Sequence, residues 1–388
     1  MALKTPVSIV AIESLSALGM GREKVWATYL SHRHGIEERS FPGEKAWVAP
    51  ISEDYKDSIE EVRRSQSHYR KLDETVLFAL AVSRMAAHSA RWKKNGNFGI
   101  NIGSSRGATG IFESHHRQFI KEGSTSPWTS PATTLGNISS WVAHDMQTSG
   151  PEISHSITCS TALHALLNGV AWILGGMADR FLVGGSEAPL TPFTVAQMKA
   201  LKIYAKAGGP FPCRALDLKK DENTMVLGEG AAMACLQAGD SPDSLALIDG
   251  IGYATEILES SVSISTEADC FQRSMQMAMG DLHSSQVDAV VMHAPGTIKG
   301  DESEFRAVHK VFGPDVPLLT SNKWMTGHTL GASGMLSVEM AVLMLQHQVF
   351  IPLPYTGEKP KAKNLNRILV NAVGFGGNAV SILLKRPR

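Results

Sequence analysis

The stretch Ile153-Ser-His-Ser-Ile-Thr-Cys159-Ser-Thr-Ala-Leu-His164 changes character at its centre. Alternating apolar and polar residues up to Thr158 predict a strand, and the apolar helical pattern that follows predicts a helix. Cys159 therefore lies at a strand-to-helix turn. The helix N-terminus favours the thiolate over the thiol, and free amides of the first helical turn can donate to an oxyanion. A buried structural cysteine is the alternative, and we interpret His164 as a packed helix histidine.

Outward from this turn, short β-rich runs alternate with helical stretches along the whole chain. The runs comprise residues 7–12, 98–103, 153–158, 181–185, 231–237, 245–249, 289–293, 318–321 and 368–373, and clear helical stretches cover residues 23–30 and 72–87. This alternation predicts parallel strands with helices packed on the sheet faces, an α/β fold. The polar turn 239–244 divides the chain into two halves of similar outline, residues 1–240 with Cys159 and residues 241–388 with His328.

Composition narrows the function classes. The 388 residues are 43% hydrophobic and carry 37 basic and 37 acidic side chains, so there is no basic field for a nucleic acid or an anionic membrane. The first residues do not resemble a signal peptide, and the most apolar long stretch, 165–185, contains Asp179 and Arg180, which argues against a membrane span. The four cysteines are scattered without metal-ligand spacing. We expect reduced thiols in a cytoplasm and no metal site.

Three glycine-rich turns accompany Cys159 in the sequence. A buried strand ends in Gly184-Gly185-Ser186-Glu187, a turn before an apolar helix carries Lys323 and His328, and a strand is interrupted by Gly374-Phe375-Gly376-Gly377. Glycines at these places let the backbone approach a ligand closely. Each turn alone also has a purely structural interpretation, and the joint order of the motifs is what points to function.

Together these motifs resemble those of the β-ketoacyl-[acyl-carrier-protein] synthases, over nearly the whole chain. The set also includes Ala17-Leu18-Gly19, Arg214–Asp217 and Val226-Leu-Gly-Glu-Gly230. The resemblance implies a thiolase-like fold of two similar βαβαβ halves, with mixed sheets sandwiched between helices, and an obligate dimer. It also implies that acyl groups arrive on the phosphopantetheine of an acyl carrier protein, without another cofactor.

The resemblance assigns roles to individual residues. Cys159 would accept the acyl chain, with the amides of Cys159 and Phe375 as the oxyanion hole. His328 would donate to the enolate of a decarboxylating malonyl thioester. Lys323 would orient and charge that neighbourhood, and Phe375 would gate the acyl pocket.

Two positions depart from the family pattern. The family has a second histidine in an Ala-His-Gly-Thr turn, where this chain reads His293-Ala294-Pro295-Gly296-Thr297, with Asp301 and Glu304 fixing the register. Proline has neither a titratable group nor a donor. His293 is a possible substitute donor, but we expect it to be packed behind the site. The family also has a glutamate where Ser337 stands, and Glu339 faces another side of the helix.

These losses shape the functional hypotheses. Loss of one oxyanion donor lowers a rate by ~10²–10³-fold. The leading hypothesis is a weakly active or non-catalytic subunit of the chain-length-factor type, similar to those of type II polyketide and aryl-polyene pathways. It would pair with a catalytic ketosynthase and shape the acyl tunnel. The alternative is a self-sufficient homodimeric synthase that uses Cys159 and His328, with His293 or water replacing the lost donor. A third possibility is a relative limited to coenzyme A thioesters, transacylation or decarboxylation.

Overall fold

A long mixed sheet organises the molecule. The computed structural model describes residues 2–135, 137–206, 208–257, 264–357 and 364–387. The strands in these ranges are β1 (Ala2–Ser16), β2 (Gly19–Met20), β3 (Glu37–Phe41), β4 (Glu44–Ala49), β5 (Gly99–Gly103), β6 (Glu152–Ile153), β7 (Arg180–Glu187), β8 (Leu227–Gly228), β9 (Gly230–Ala238), β10 (Ala246–Thr255), β11 (Ala289–Val291), β12 (Leu318–Thr320), β13 (Arg367–Gly374) and β14 (Asn378–Lys385).

Helices lie between the strands and on both faces of the sheet. They are α1 (Arg22–Ser31), α2 (Lys56–Ser65), α3 (Glu74–Ser89), α4 (Thr109–Glu122), α5 (Thr129–Thr133), α6 (Asn137–Met146), α7 (Thr161–Leu174), α8 (Pro192–Ala200), α9 (Asp269–Met279), α10 (Ile298–Phe312), α11 (Lys323–Thr326) and α12 (Ser333–His347). Among the described residues no helix has the length and apolar character needed to cross a membrane.

The sheet is built twice from the same pattern. Its order is β12-β11-β13-β14-β10-β1-β9-β7-β5-β6, so each half contributes five strands, and β1 pairs with β10 where the halves meet. In both halves the outer three strands are parallel and the inner pairings are antiparallel. The predicted α/β fold with two similar halves is confirmed. The sheet is mixed, as the resemblance implies, because β9 and β14 lie beside β7 and β13 as antiparallel partners, and the parallel strands that the alternation predicts are the outer three of each half.

Two helices form the centre of the molecule. Helices α7 and α12 pack against each other, α7 on β5, β7 and β9 and α12 on β13 and β9. Every residue of α12 from Ser333 to Leu345 is buried, so this largely apolar helix is enclosed around its whole circumference. On the opposite side, α3 packs on β1, β7 and β9, and α9 packs on β10 and β14. Because Cys159 precedes α7 and His328 precedes α12, the central pair brings the two halves of the site together.

One predicted strand is much shorter than expected. Of residues 153–158, only Ile153 belongs to a strand, the two-residue β6. The His155 ring contacts Asn101 Oδ1 at 2.9 Å and the Thr161 carbonyl at 3.1 Å, and the Ile157 amide donates to Thr161 Oγ1 at 2.9 Å. Side-chain hydrogen bonds of this kind compete with a sheet ladder. They turn the chain before Cys159 instead of extending it.

A buried ion pair ties the two halves together near the site. Lys220 Nζ lies 2.7 Å from Asp301 Oδ2, and the two side chains are 2% and 0% exposed. The same carboxylate accepts hydrogen bonds from the amides of Leu216 (2.7 Å) and Gly296 (3.0 Å). Asp301 therefore fixes the Gly296 turn to the Arg214–Asp217 motif and to Lys220, which follows that motif.

We expect Lys220→Met to lower the free energy of unfolding by about 3–5 kcal/mol, because it leaves the Asp301 carboxylate buried without its cation. The matched control is Arg306→Met in α10, the helix that carries Asp301, since Arg306 pairs with Glu302 at the surface. Exposed pairs contribute at most about 1 kcal/mol. Urea denaturation measures both variants, and equal losses would contradict the prediction.

Candidate active site

Cys159 lies in a tight turn between β6 and α7. Thr158 has φ 46°, Ser160 precedes the first residue of α7, and the thiol is buried. Burial raises the pKa of Cys159 to about 12 and the Glu187 carboxylate also raises it, whereas Lys323 and the backbone amide of Cys159 itself lower it by less. The expected thiolate is therefore not found, because the cost of desolvating the anion exceeds the stabilisation by the helix N-terminus. The chemistry of this thiol requires a base.

The hairpin between β13 and β14 touches the cysteine turn. A Cβ at Gly374 would lie 2.1 Å from Thr158 Oγ1 and 2.6 Å from the Ile157 carbonyl oxygen, so only glycine permits this contact. Phe375 follows at the tip and is 38% exposed. Among the described residues the amides of Cys159 and Phe375 donate no hydrogen bond to another residue. Both amides are available to an oxyanion.

His293 faces the same cavity as Cys159 and His328. The cavity has a volume of about 360 Å³ and is also lined by Phe375, Pro295 and mostly apolar side chains. The His293 and His328 rings lie perpendicular, with centroids 5.2 Å apart. Our expectation that His293 is packed behind the site is wrong, because His293 itself lines the cavity. Pro295 borders the cavity without contributing a donor.

Hydrogen bonds from other parts of the chain hold the turn of residues 293–296. Glu304 accepts from the amides of His293 at 2.9 Å and Ala294 at 2.8 Å, and it also accepts from Asn371 Nδ2 at 3.1 Å. The Thr224 amide donates to the Gly296 carbonyl at 2.8 Å. These bonds hold Ala294 at φ 22°, a conformation that non-glycine residues rarely adopt.

Burial keeps both imidazoles neutral. It lowers the pKa of His328 to about 3 and that of His293 well below the usual range, and the positive charge of Lys323 lowers both further. His328 Nδ1 is buried without a partner among the described residues, and the His293 ring has no hydrogen bond there either. Each ring can therefore donate one N–H to a ligand oxygen or accept a proton from a thiol.

Lys323 is buried and is not among the described residues that line the cavity, but its positive charge acts on both His293 and His328. Its ammonium donates to Asn322 Oδ1 and Ser337 Oγ, both at 3.2 Å. Burial lowers the pKa of Lys323 to about 8. Ser337 thus contacts the lysine, while Glu339 accepts from Ser14 Oγ at 2.6 Å on another side of α12. No described carboxylate makes an ion pair with Lys323.

Two further motifs support the backbone of the site. The His328 amide donates to the Val226 carbonyl at 2.6 Å, so the Val226–Gly230 motif positions the histidine turn. Glu187 accepts from the amides of Ser105 and Gly331, which joins the cysteine half to the His328 half. Sequence reasoning missed Thr224 and Lys220, which hold the Gly296 turn, and Arg106, which lines the cavity. The places of these residues depend on contacts between distant segments. The four cysteines are free and buried. Of these four, Cys159 is the one that is among the described residues lining this cavity.

With this geometry established, comparison with known proteins defines the class. Residues 4–241 match the N-terminal domain and residues 245–355 the C-terminal domain of the β-ketoacyl synthases. The chain therefore belongs to the β-ketoacyl synthase family.

Individual relatives span essentially the whole chain. A 3-oxoacyl-[acyl-carrier-protein] synthase 2 of Vibrio cholerae is 25% identical, with 99% of each chain covered. The ishigamide ketosynthase/chain length factor structure is similar with a TM-score of 0.85, at 20% identity and 99% coverage of both chains. The complex of the ketosynthase ApeO with its chain length factor ApeC from Xenorhabdus doucetiae gives a TM-score of 0.80, at 21% identity and 98% coverage of both chains.

The buried carboxyl of Glu339 makes stability depend on pH. Burial raises its pKa from the ordinary 4.5 to about 8. Because the folded pKa lies above the unfolded one, the contribution of Glu339 to stability is full below about pH 4.5 and is lost as the pH rises through about 8. We expect the wild type to lose stability relative to Glu339→Gln by up to about 1 kcal/mol per pH unit between these limits.

Denaturation of both proteins at pH 5, 6, 7 and 8 measures this difference. The control is Glu302→Gln, because Glu302 is an exposed carboxylate at the surface of α10. Its profile should run parallel to that of the wild type. Parallel profiles for Glu339→Gln would show that this carboxyl ionises normally in the folded protein.

Proposed function

We propose that this chain is a condensing subunit of the β-ketoacyl synthase type, which carries an acyl group on Cys159 and uses His293 and His328 together for decarboxylative elongation. The observation that carries the proposal is the perpendicular pair of neutral imidazoles in the cavity of Cys159. The two imidazoles together supply two N–H donors, although Pro295 stands where the family has its second histidine. Its partners are an acyl carrier protein and a second ketosynthase-fold subunit, either a copy of this chain or a homologue.

The first stage is acyl transfer to the thiol. Cys159 Sγ attacks the carbonyl carbon of an acyl-carrier thioester, and a neutral imidazole takes the thiol proton. The C–S bond to the carrier breaks, and the carrier thiol leaves with that proton. Because burial disfavours the thiolate, proton removal and attack are coupled. The free amides of Cys159 and Phe375 stabilise the tetrahedral oxyanion.

The second stage forms the new carbon–carbon bond. A malonyl-carrier thioester loses CO₂ when the bond to its carboxylate breaks, and the electron pair becomes an enolate. The N–H groups of neutral His293 and His328 donate to the enolate oxygen. The enolate carbon then attacks the acyl-Cys159 carbonyl, the C–S bond to Cys159 breaks, and the leaving thiolate takes up a proton from solvent water. Lys323 supplies positive charge behind the two imidazoles, and the low dielectric of the cavity strengthens its effect.

We expect His293→Ala to lower the condensation rate by ~10²–10³-fold, similarly to His328→Ala, because each substitution removes one donor to the enolate. Intact-mass analysis should still find acylated Cys159, so the loss belongs to the malonyl step. The matched control is His164→Ala in α7, since the His164 ring bonds the Ser160 carbonyl and is not among the residues lining the cavity. A His293→Ala protein that condenses at the wild-type rate would refute the two-histidine assignment.

A second candidate function is the chain-length-factor type of subunit that the sequence predicted. Pro295 and Ser337 favour it, because both remove an ionisable group from the site, and Lys323 has no carboxylate partner among the described residues. In that case the chain would complete a heterodimer and shape the tunnel of a catalytic partner. For both candidates we place the reaction in the cytoplasm, where thiols stay reduced.

The isolated chain distinguishes the two candidates. Supplied with acyl- and malonyl-carrier protein, it should release β-ketoacyl product, and Cys159→Ala should abolish turnover because the acyl acceptor is gone. Cys235→Ala is the control, since this buried cysteine lies in β9 and is not among the residues lining the cavity. Turnover only in complex with another ketosynthase, insensitive to Cys159→Ala in this chain, would favour the chain-length-factor function instead.

A further inference from the structure

Arg106 brings a guanidinium to the wall of the Cys159 cavity. It lies in the loop between β5 and α4, next to the cysteine turn. The neighbouring Ser105 is held from two sides, because its amide donates to Glu187 and its carbonyl accepts from Ser156 Oγ at 3.3 Å. These hydrogen bonds of Ser105 hold the loop that places Arg106 at the cavity wall.

The guanidinium is incompletely paired. Arg106 Nη2 donates to the Gln197 side-chain amide, and no described carboxylate forms an ion pair with Arg106. Arg106 Nε is buried without a hydrogen-bond partner among the described residues. No carboxylate is among the described residues that line the cavity. An unpaired donor of a charged group in such surroundings costs free energy, and an oxygen of a bound ligand would offset that cost.

We propose that Arg106 determines acyl specificity, by donating a hydrogen bond to a carbonyl oxygen along the chain carried on Cys159. The cavity therefore prefers oxygenated acyl groups to pure hydrocarbon chains of the same size. A guanidinium suits this task because its N–H groups are fixed in a plane and it remains charged. The inference rests on the proposed function, since it requires Cys159 to accept an acyl group.

Two thioesters of matched size test the preference. The full chain, with any subunit that copurifies, is incubated with 5-oxohexanoyl-pantetheine or 5-methylhexanoyl-pantetheine, which differ only by an oxygen in place of a methyl group. Intact mass follows acylation of Cys159 over time. We expect the wild type to favour the oxo compound by about tenfold or more, and Arg106→Met to remove this preference. Arg106→Lys keeps the charge but loses the Nε donor, so it should also lose most of the preference.

Lys299 provides the matched control within the same cavity. It is exposed near the start of α10, and Lys299→Met should change the rates with both thioesters by the same factor. Equal acylation of wild-type Cys159 by the two thioesters would overturn the role of Arg106 and leave the proposed function standing. A folded Arg106→Met protein that still prefers the oxo thioester as the wild type does would also overturn the role of Arg106 and leave the proposed function standing. Failure of both thioesters to acylate Cys159 would overturn the proposed function, and this inference with it.

Discussion

The hydrogen bonds from the His293 and Ala294 amides to the Glu304 carboxylate are the constraint on which the site depends. They hold Ala294 in its strained conformation. Asp301 of the same helix accepts a hydrogen bond from the amide of Gly296. Both carboxylates belong to α10 and are fully buried, so backbone amides and Lys220 must satisfy them. Without these bonds the turn would relax, and no force would keep the His293 ring against His328.

Burial sets the electrostatics of the cavity. It raises the pKa of the Cys159 thiol and lowers the pKa of both imidazoles, so the groups that meet there are neutral in the free protein. Lys323 is the buried cation beside the two imidazoles, and a serine replaces the expected carboxylate next to it. Negative charge that develops on a bound thioester at Cys159 therefore meets N–H dipoles and the Lys323 ammonium in a low dielectric, where both act strongly. The arrangement suits an anionic transition state better than a resting thiolate.

The duplicated sheet explains how distant residues converge. Each half places a helix after its parallel strands, α7 in the first and α12 in the second, and the two helices pack together at the centre. Their preceding turns carry Cys159 and His328. The β13–β14 hairpin then closes the site, because Gly374 permits backbone contact with the cysteine turn. The catalytic arrangement is thus a consequence of the contact between halves, and neither half contains it alone.

The sequence by itself determined the alternation of strands and helices, the two similar halves and the family motifs around Cys159, Lys323, His328 and Phe375. Such features follow from local periodicity and from glycine positions, which are readable along the chain. Tertiary structure decided the place of His293, the protonation of Cys159 and the pairing of Ser337 with Lys323. Each of these depends on burial and on contacts between segments far apart in sequence, such as Glu304 with residue 293. Pro295 stands where the family has its second histidine, so the sequence indicated the loss of one N–H donor. Only the tertiary structure showed that the imidazole of His293 lines the cavity.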